Sequence, residues 1–403
     1  MNPNLFTDNT PFDGIVCIGQ TSWEGNFQKA VVQLMTELSA RHRVVFVDYQ
    51  YTLKDLAKGL TGRTDIPVRP MLGLAPSLNR KLFDNGTEAY IWHPPVMLPI
   101  NWLSARSHDR VVRWNVNRLT AGLRTVMKQL GISRPLVINA FNPVFGLPML
   151  RQLNEWATIY YCFDEITMSR WMSRHGGRYE PLYLQGVDAV VTTSETLRQS
   201  KSLLQPRTFC VKNGVNFELF NKARSFTDQT VPDRPVVGYL GTADDRINLP
   251  LVEHCVRTMP DLDFMFVGEV NEPTIRVQLA PYPNVKFVPP HQPAELPPLL
   301  ARMSAAMIPF VCNEHTYTIY PLKINEYLAA GLPVVSTPFS LLDDFAGIVE
   351  LADTPDAFVA ALRRALADTS RQRLDQRIAL ARANSWSHRS EEFEAVIRQL
   401  QPA

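Results

Sequence analysis

The chain has 403 residues, 45% hydrophobic and 20% charged, with 41 Lys and Arg against 39 Asp and Glu. That length fits two domains, because single cores rarely grow past about 250–300 residues. The apolar share excludes wholesale disorder, and a net charge of +2 excludes the large basic excess of a dedicated nucleic-acid binder.

Five cysteines, Cys17, Cys162, Cys210, Cys255 and Cys312, are widely spaced and form no CxxC pair. Most lie in apolar runs, where a thiol packs as a small hydrophobe. Neither a disulfide framework nor a zinc knuckle is expected, and a reducing compartment fits. The opening MNPNLFTDNTPFDG lacks the charged and apolar regions of a signal peptide. No apolar run reaches the roughly 18 residues that would span a bilayer. The expectation is a cytoplasmic protein, soluble or peripheral at the inner face of the membrane.

Short apolar runs alternate with helix-length segments along the whole chain. In the first half they are Ile15–Gly19, Val44–Asp48, Leu136–Ala140, Thr158–Phe163, Ala189–Thr193 and Phe209–Lys212. In the second half they are Val236–Gly241, Phe264–Gly268, Val285–Val288, Ala305–Pro309, Pro333–Ser336 and Ile348–Leu351. Continuous β-rich runs separated by helical stretches indicate buried parallel strands joined by crossovers. Two such sets predict an α/β protein of two Rossmann-like, doubly wound domains.

Between Asn101 and Pro135 six Arg and one Lys face a single acid, Asp109, with Trp102 and Trp114 interleaved. This reads either as a solvated amphipathic helix or as a surface that meets anionic lipid. The polar stretch 223–234, closed by Pro232 and Pro235, has linker composition. The expected division is therefore 1–222, linker 223–234, 235–385, and a C-terminal helix over 386–403 that packs back on the first domain.

In open α/β sheets ligands bind beyond the carboxyl ends of the strands. Two domains with those ends facing each other would enclose an interdomain crevice. The most informative residues are YPLKINEYLAAGLPVVST, Tyr320–Thr337. Pro321 suits the first position of a helix and Gly331 its stop. Lys323 then lies in the first turn, where a cation opposes the helix dipole. No Ser, Thr, Asp or Asn caps the free N–H groups. Free donors, a positive dipole end and a lysine make an anion site, most naturally for phosphate. Glu326 is three residues on, on the same face, and can accept hydrogen bonds from sugar hydroxyls.

This segment resembles the donor-binding motif of GT-B glycosyltransferases, particularly the family 4-like enzymes of bacterial polysaccharide synthesis. Tyr160–Asp164, Thr193–Glu195, Lys212–Val215 and Gly238–Gly241 are similar to further stations of that fold. The resemblance implies GT-B architecture, a nucleotide-sugar donor, most commonly UDP, and a carbohydrate or lipid-linked acceptor. It implies no cofactor and no metal. It places Lys323, Glu326, Gly241, Thr242, Arg246, His291, Tyr320 and Leu322 on the donor, with Glu326 at the ribose. Trp23 and Glu24, on the first loop, are candidates for the acceptor side. Two departures stand out: Thr318 occupies the place of the first glutamate of E-x7-E, and Arg246 is the only base near Gly241. Lys323–Tyr327 is closer to the xanthan glucuronosyltransferase type, whose similarity implies inversion with an aspartate base, here Asp164. Asp164 reads equally as the N-cap of a helix beginning near Ile166, so retention and inversion both remain open. The alternative to an enzyme is a non-catalytic GT-B scaffold subunit of a polysaccharide assembly complex.

Overall fold

The computed structural model describes residues 11–25, 29–83, 86–168, 173–226 and 232–400. The chain divides into two compact units, and each carries its own parallel sheet and core.

In the first unit the strands are β1 (Ile15–Gly19), β2 (Val44–Val47), β3 (Leu78–Leu82), β4 (Glu88–Trp92), β5 (Leu136–Ala140), β6 (Ala157–Cys162), β7 (Ala189–Thr192) and β8 (Thr208–Cys210). They order as β3-β4-β2-β1-β5-β6-β7-β8. All neighbours are parallel except β3 and β4. β1, β2, β5, β6 and β7 are buried along their length, which is why they read as continuous apolar runs. Apolar periodicity does not reveal the β3–β4 hairpin. β3 is an edge strand, LNRKL, with Asn79 and Arg80 exposed, and Arg80 pairs with Glu88 across the ladder. Charged edges of this kind protect a sheet from pairing with other chains.

The helix Ala105–Leu130 buries Val112, Val116, Leu119, Leu123 and Val126, a spacing that lines one face. It stops at Gly131, whose φ of 67° is the left-handed cap conformation. Its outer face exposes Arg106, Arg110, Arg113, Trp114, Arg118 and Lys128.

The second unit holds β9 (Val236–Leu240), β10 (Asp263–Val267), β11 (Val285–Val288), β12 (Ala305–Ile308), β13 (Val334–Ser336) and β14 (Glu350–Leu351). Their order is β11-β10-β9-β12-β13-β14, all parallel. The chain reverses its direction of travel across the sheet between β9 and β12, the switch point where such sheets bind ligands.

The division differs from the one composition suggests. It falls between Val211 and Lys212, not at 222. Val215, Phe217, Phe220 and Ala223 belong to the second unit's core. Val215 also exchanges backbone hydrogen bonds with Asn384 and Trp386. Packing outweighs the polar composition there, and residues 227–231 of the expected linker lie outside the described residues. The last helix, Trp386–Gln399, divides as well, and its residues from Ser390 count with the first unit. There Phe393 meets Tyr161 with ring centres 6.0 Å apart, and Glu394 takes a hydrogen bond from His42 Nε2 at 2.6 Å. Residues 401–403 lie outside the described residues.

Candidate functional site

At the switch point of the second unit the chain leaves β9 through Gly241, Thr242 and Arg246. The helix Leu322–Ala329 aims its N-terminus at that turn. The helix is fixed there by Tyr327, whose Oη accepts the Leu240 N–H at 2.6 Å. Pro321 proves to be the N-cap, one place earlier than expected, and Leu322 the first helical residue. Pro321 offers no side-chain acceptor to the first N–H groups, and no side chain caps the helix. The helix ends at Ala329, and Gly331 follows with φ of 84°.

Lys323, in the first turn, lies across Gly241. A Cβ added at Gly241 would stand 2.4 Å from Lys323 Cε, and φ there is +127°. Glycine is thus required twice, for the backbone and for the lysine's passage. The ammonium lies 5.8 Å from the Tyr239 ring centre and 5.9 Å from that of Phe310. Among the described residues neither the Lys323 ammonium nor the Glu326 carboxylate makes a hydrogen bond or ion pair. Both residues are partly buried, with their charged ends set among protein atoms. Burial and then Arg246 push Lys323 down to about 8, against Glu326 and Asp244. Burial pushes Glu326 up to about 7, against Lys323. Two strongly displaced groups on one helix turn, with unused hydrogen-bonding capacity, are poised for a ligand that supplies what the protein withholds.

The other expected donor residues differ in where they lie. Thr242 adjoins Gly241, and its carbonyl takes the Tyr239 hydroxyl at 2.9 Å. Leu322 is partly exposed at the helix start. Arg246 is near Lys323 but grips Asp244 with two bonds, Nε to Oδ1 at 2.8 Å and Nη2 to Oδ2 at 2.6 Å. His291 is partly exposed beyond β11, at the edge of the sheet, two strands from β9. Tyr320 is an interior residue, packed 5.8 Å from Phe345 by ring centres.

In the first unit Asp164 follows β6, as the run Thr158–Phe163 implies. Its Oδ1 accepts the N–H of Glu165 at 2.8 Å. Residues 166–168 form a turn, and the next helix starts at Ser173, so Asp164 caps no helix at Ile166. Trp23 and Glu24 lie on the loop after β1. The Trp23 indole is buried, edge-on to Phe46 at 5.0 Å, and the Trp23 backbone N–H donates to Asp48 Oδ1 at 2.7 Å. Glu24 is 76% exposed and pairs with Lys81 on β3.

Two clusters escape sequence reading. Lys201 is buried between Glu165 at 2.9 Å and Glu180 at 2.8 Å, and Glu180 also takes the Tyr160 hydroxyl at 2.9 Å. Burial alone would lower the Lys201 ammonium, but Cys162, Glu180 and Glu165 raise it. This network braces the loop that carries Asp164. The second cluster is a cavity of about 600 Å³ beyond β1, β2 and β5, reached by Gln20, Gln50 and Asn142 and closed by a stacked pair, His108 and His175. These residues come from distant segments, and no short motif joins them.

Two doubly wound units, with an uncapped helix N-terminus at a switch point of the second, have the GT-B fold. Residues 234–368 match the model of the glycosyl transferases group 1. Over 270 residues it is 25% identical to a protein assigned to teichuronic acid biosynthesis as a glycosyltransferase, TuaH of Bacillus subtilis (strain 168); this spans 60% of the chain and 67% of TuaH. Among solved structures it is similar to a UDP-forming α,α-trehalose-phosphate synthase from Burkholderia xenovorans, with a TM-score of 0.67, 12% identity, and coverage of 97% of the chain and 100% of the synthase. It is similar also to Anabaena HepE in complex with UDP-glucose, with a TM-score of 0.60, 12% identity, and coverage of 96% and 100%.

Proposed function

We propose that the chain transfers a sugar from a UDP-sugar to a carbohydrate or lipid-linked acceptor in the synthesis of a cell-envelope polysaccharide. The observation that carries the reading is Lys323 laid across Gly241 at an uncapped helix N-terminus. The diphosphate of the donor sits on the N–H groups at Leu322 and Lys323 and on the Lys323 ammonium. Glu326, on the same face, accepts from the ribose hydroxyls. Charge developing on the departing diphosphate is met by the helix end and Lys323, so the step proceeds without a metal ion. Asp164 serves as the base that takes the acceptor hydroxyl proton, which gives inversion. The UDP-glucose complex of HepE and the assignment of TuaH support this choice of donor and pathway. The test is a thermal-shift panel of UDP-, GDP- and dTDP-sugars: a ligand bound only by the native state raises the melting temperature. A UDP-sugar should give the largest rise; a larger one with a GDP- or dTDP-sugar would reassign the nucleotide.

Gly241→Ala is expected to damage the donor site selectively. The added Cβ displaces Lys323 and must adopt φ near +127°, at a cost of about 1–3 kcal/mol. The variant should fold with a lowered melting temperature and bind UDP more weakly than wild type. Wild-type UDP affinity would separate Lys323 from the phosphate.

The exposed Arg106, Arg110 and Arg113 beside Trp114, and Trp102 at 70% exposure, support peripheral contact with anionic lipid at the inner membrane face. No described helix is long and apolar enough to cross a membrane. Binding to phosphatidylglycerol vesicles should weaken as salt rises, because exposed charges are screened over about 10 Å at 0.1 M. Replacing the three arginines by glutamine should weaken it further. Equal sedimentation of wild type and variant with the vesicles would leave this face to water.

A further inference from the structure

The first unit carries a helix that leaves its leucines in solvent. Leu53–Leu60, LKDLAKGL, buries none of its residues. Its start is fixed by Asp55, which accepts from the N–H and the hydroxyl of Thr52 at 2.8 and 2.7 Å. The Leu53 N–H donates to the Met97 carbonyl at 3.0 Å. The side that packs is the one holding Gly59, where an added Cβ would stand 2.5 Å from Ile66 Cγ1 and 2.9 Å from Val68 Cγ2. Leu53, Ala57 and Leu60 share a different face, at the i, i+4, i+7 spacing, and all three are exposed. Leu53 is 50% and Leu60 64% exposed. A surface helix of a globular domain turns such a stripe to the core. This one does not.

The residues that follow repeat the arrangement. Leu72 is 45% and Leu74 66% exposed. Lys54, Lys58, Arg63 and Arg69 are exposed among these leucines, and no ion pair holds them among the described residues. Asp65 is the one exposed acid of residues 53–74, since Asp55 is spent on Thr52. Lys54 and Lys58 share the rim of the 600 Å³ cavity with Trp102, so this surface is continuous with the most exposed indole of the chain's described part. Exposed leucines flanked by unpaired cations match a surface that is apolar beneath and anionic at its face. Long basic side chains can reach the anionic layer while the leucines go deeper.

We infer that residues 53–74 form a membrane-insertion element. Leu53, Leu60, Leu72 and Leu74 enter the acyl boundary of an anionic bilayer, and Lys54, Lys58, Arg63 and Arg69 meet its phosphate headgroups. The inference rests on the reading of peripheral lipid contact above and deepens it: the arginines of Ala105–Leu130 attract the protein to the surface, and residues 53–74 anchor it there.

Sedimentation of the full chain with phosphatidylglycerol vesicles tests it, at low salt and at about 1 M salt, where screening acts within about 3 Å. Insertion is apolar, so wild type should keep part of its binding at high salt. Leu53→Gln, Leu60→Gln, Leu72→Gln and Leu74→Gln together should weaken partitioning about tenfold or more and abolish the salt-resistant part. The melting temperature should hold, because these side chains are exposed. The same four positions changed to methionine should keep the binding. Equal partitioning of wild type and the glutamine variant would overturn the inference, as would wild type that binds no vesicle. Wild type that self-associates through these leucines without binding vesicles would assign the patch to a second copy and overturn it too. Arg106→Gln, Arg110→Gln and Arg113→Gln together are measured alongside. A loss confined to the arginine variant would sink the insertion and leave the arginine contact standing. A loss confined to the leucine variant would support the insertion and remove the arginine contact.

Discussion

Lys323→Ala is expected to weaken UDP binding about tenfold or more while leaving the fold intact. The ammonium makes no protein hydrogen bond or ion pair among the described residues, so its removal breaks no internal contact of that kind. A charge-assisted contact to phosphate contributes roughly 1.5–3 kcal/mol, and about 1.4 kcal/mol is tenfold in affinity. The pH dependence has a definite sign. Lys323 titrates at about 8, so wild-type UDP affinity should fall as pH rises through about 8, and this step should be missing from Lys323→Ala. The effect on stability runs the other way. A free lysine titrates near 10.5, so between about 8 and 10.5 the unfolded chain binds more protons at this position. The ligand-free protein therefore gains stability from Lys323 as pH rises through that window. Glu326 adds stability below about 4.5 that is lost as pH rises through about 7, because its folded value is raised. Calorimetric titration with UDP, and melting curves of the free protein, over about pH 4 to 11 (roughly the span of these two windows) check both signs. A wild-type pH profile in Lys323→Ala would assign the step to another group.

Asp164→Asn is expected to keep UDP affinity and lose on the order of 10²–10⁴ in turnover, the usual contribution of a positioned base. Asparagine can still accept the Glu165 N–H through its side-chain oxygen, so the local turn should survive. The rival reading as a helix cap loses its support because residues 166–168 form a turn rather than a first helical turn. The Lys201–Glu165–Glu180 cluster holds the next residue in place, which favours a precise orientation of the loop. Steady-state kinetics with saturating donor would measure the loss. Near-native turnover would remove Asp164 as base and move the mechanism toward retention.

The helix that begins at Leu322 was largely legible because its signals are local. An uncapped helix start, Lys323 in its first turn, Glu326 three residues on and the stop at Gly331 all fall within one short segment. Gly241 could be matched as a station of the fold, but its steric reason appears only when Lys323 is seen to cross it. Tyr320 is buried for a physical reason: a tyrosine beside a helix start packs into the core as readily as it faces a ligand. In the first unit the partners of the singled-out residues were not legible. Trp23 is drawn into the sheet by Phe46 and Asp48, a contact 23 to 25 positions away in sequence. His108 and His175 meet across 67 residues of chain, beyond the reach of any spacing rule. The β3–β4 hairpin was hidden by its own edge chemistry, because an exposed strand of charged residues has no apolar run to find.

The central claim is that the second unit holds a nucleotide-sugar so that its diphosphate can leave. Release of UDP from a panel of UDP-sugars, followed with and without EDTA and with Lys323→Ala beside wild type, tests it most directly. Wild type should release UDP from at least one donor, undiminished by EDTA, and Lys323→Ala should release it far more slowly at sub-saturating donor. No release from any UDP-sugar, or equal release by the variant, would contradict it.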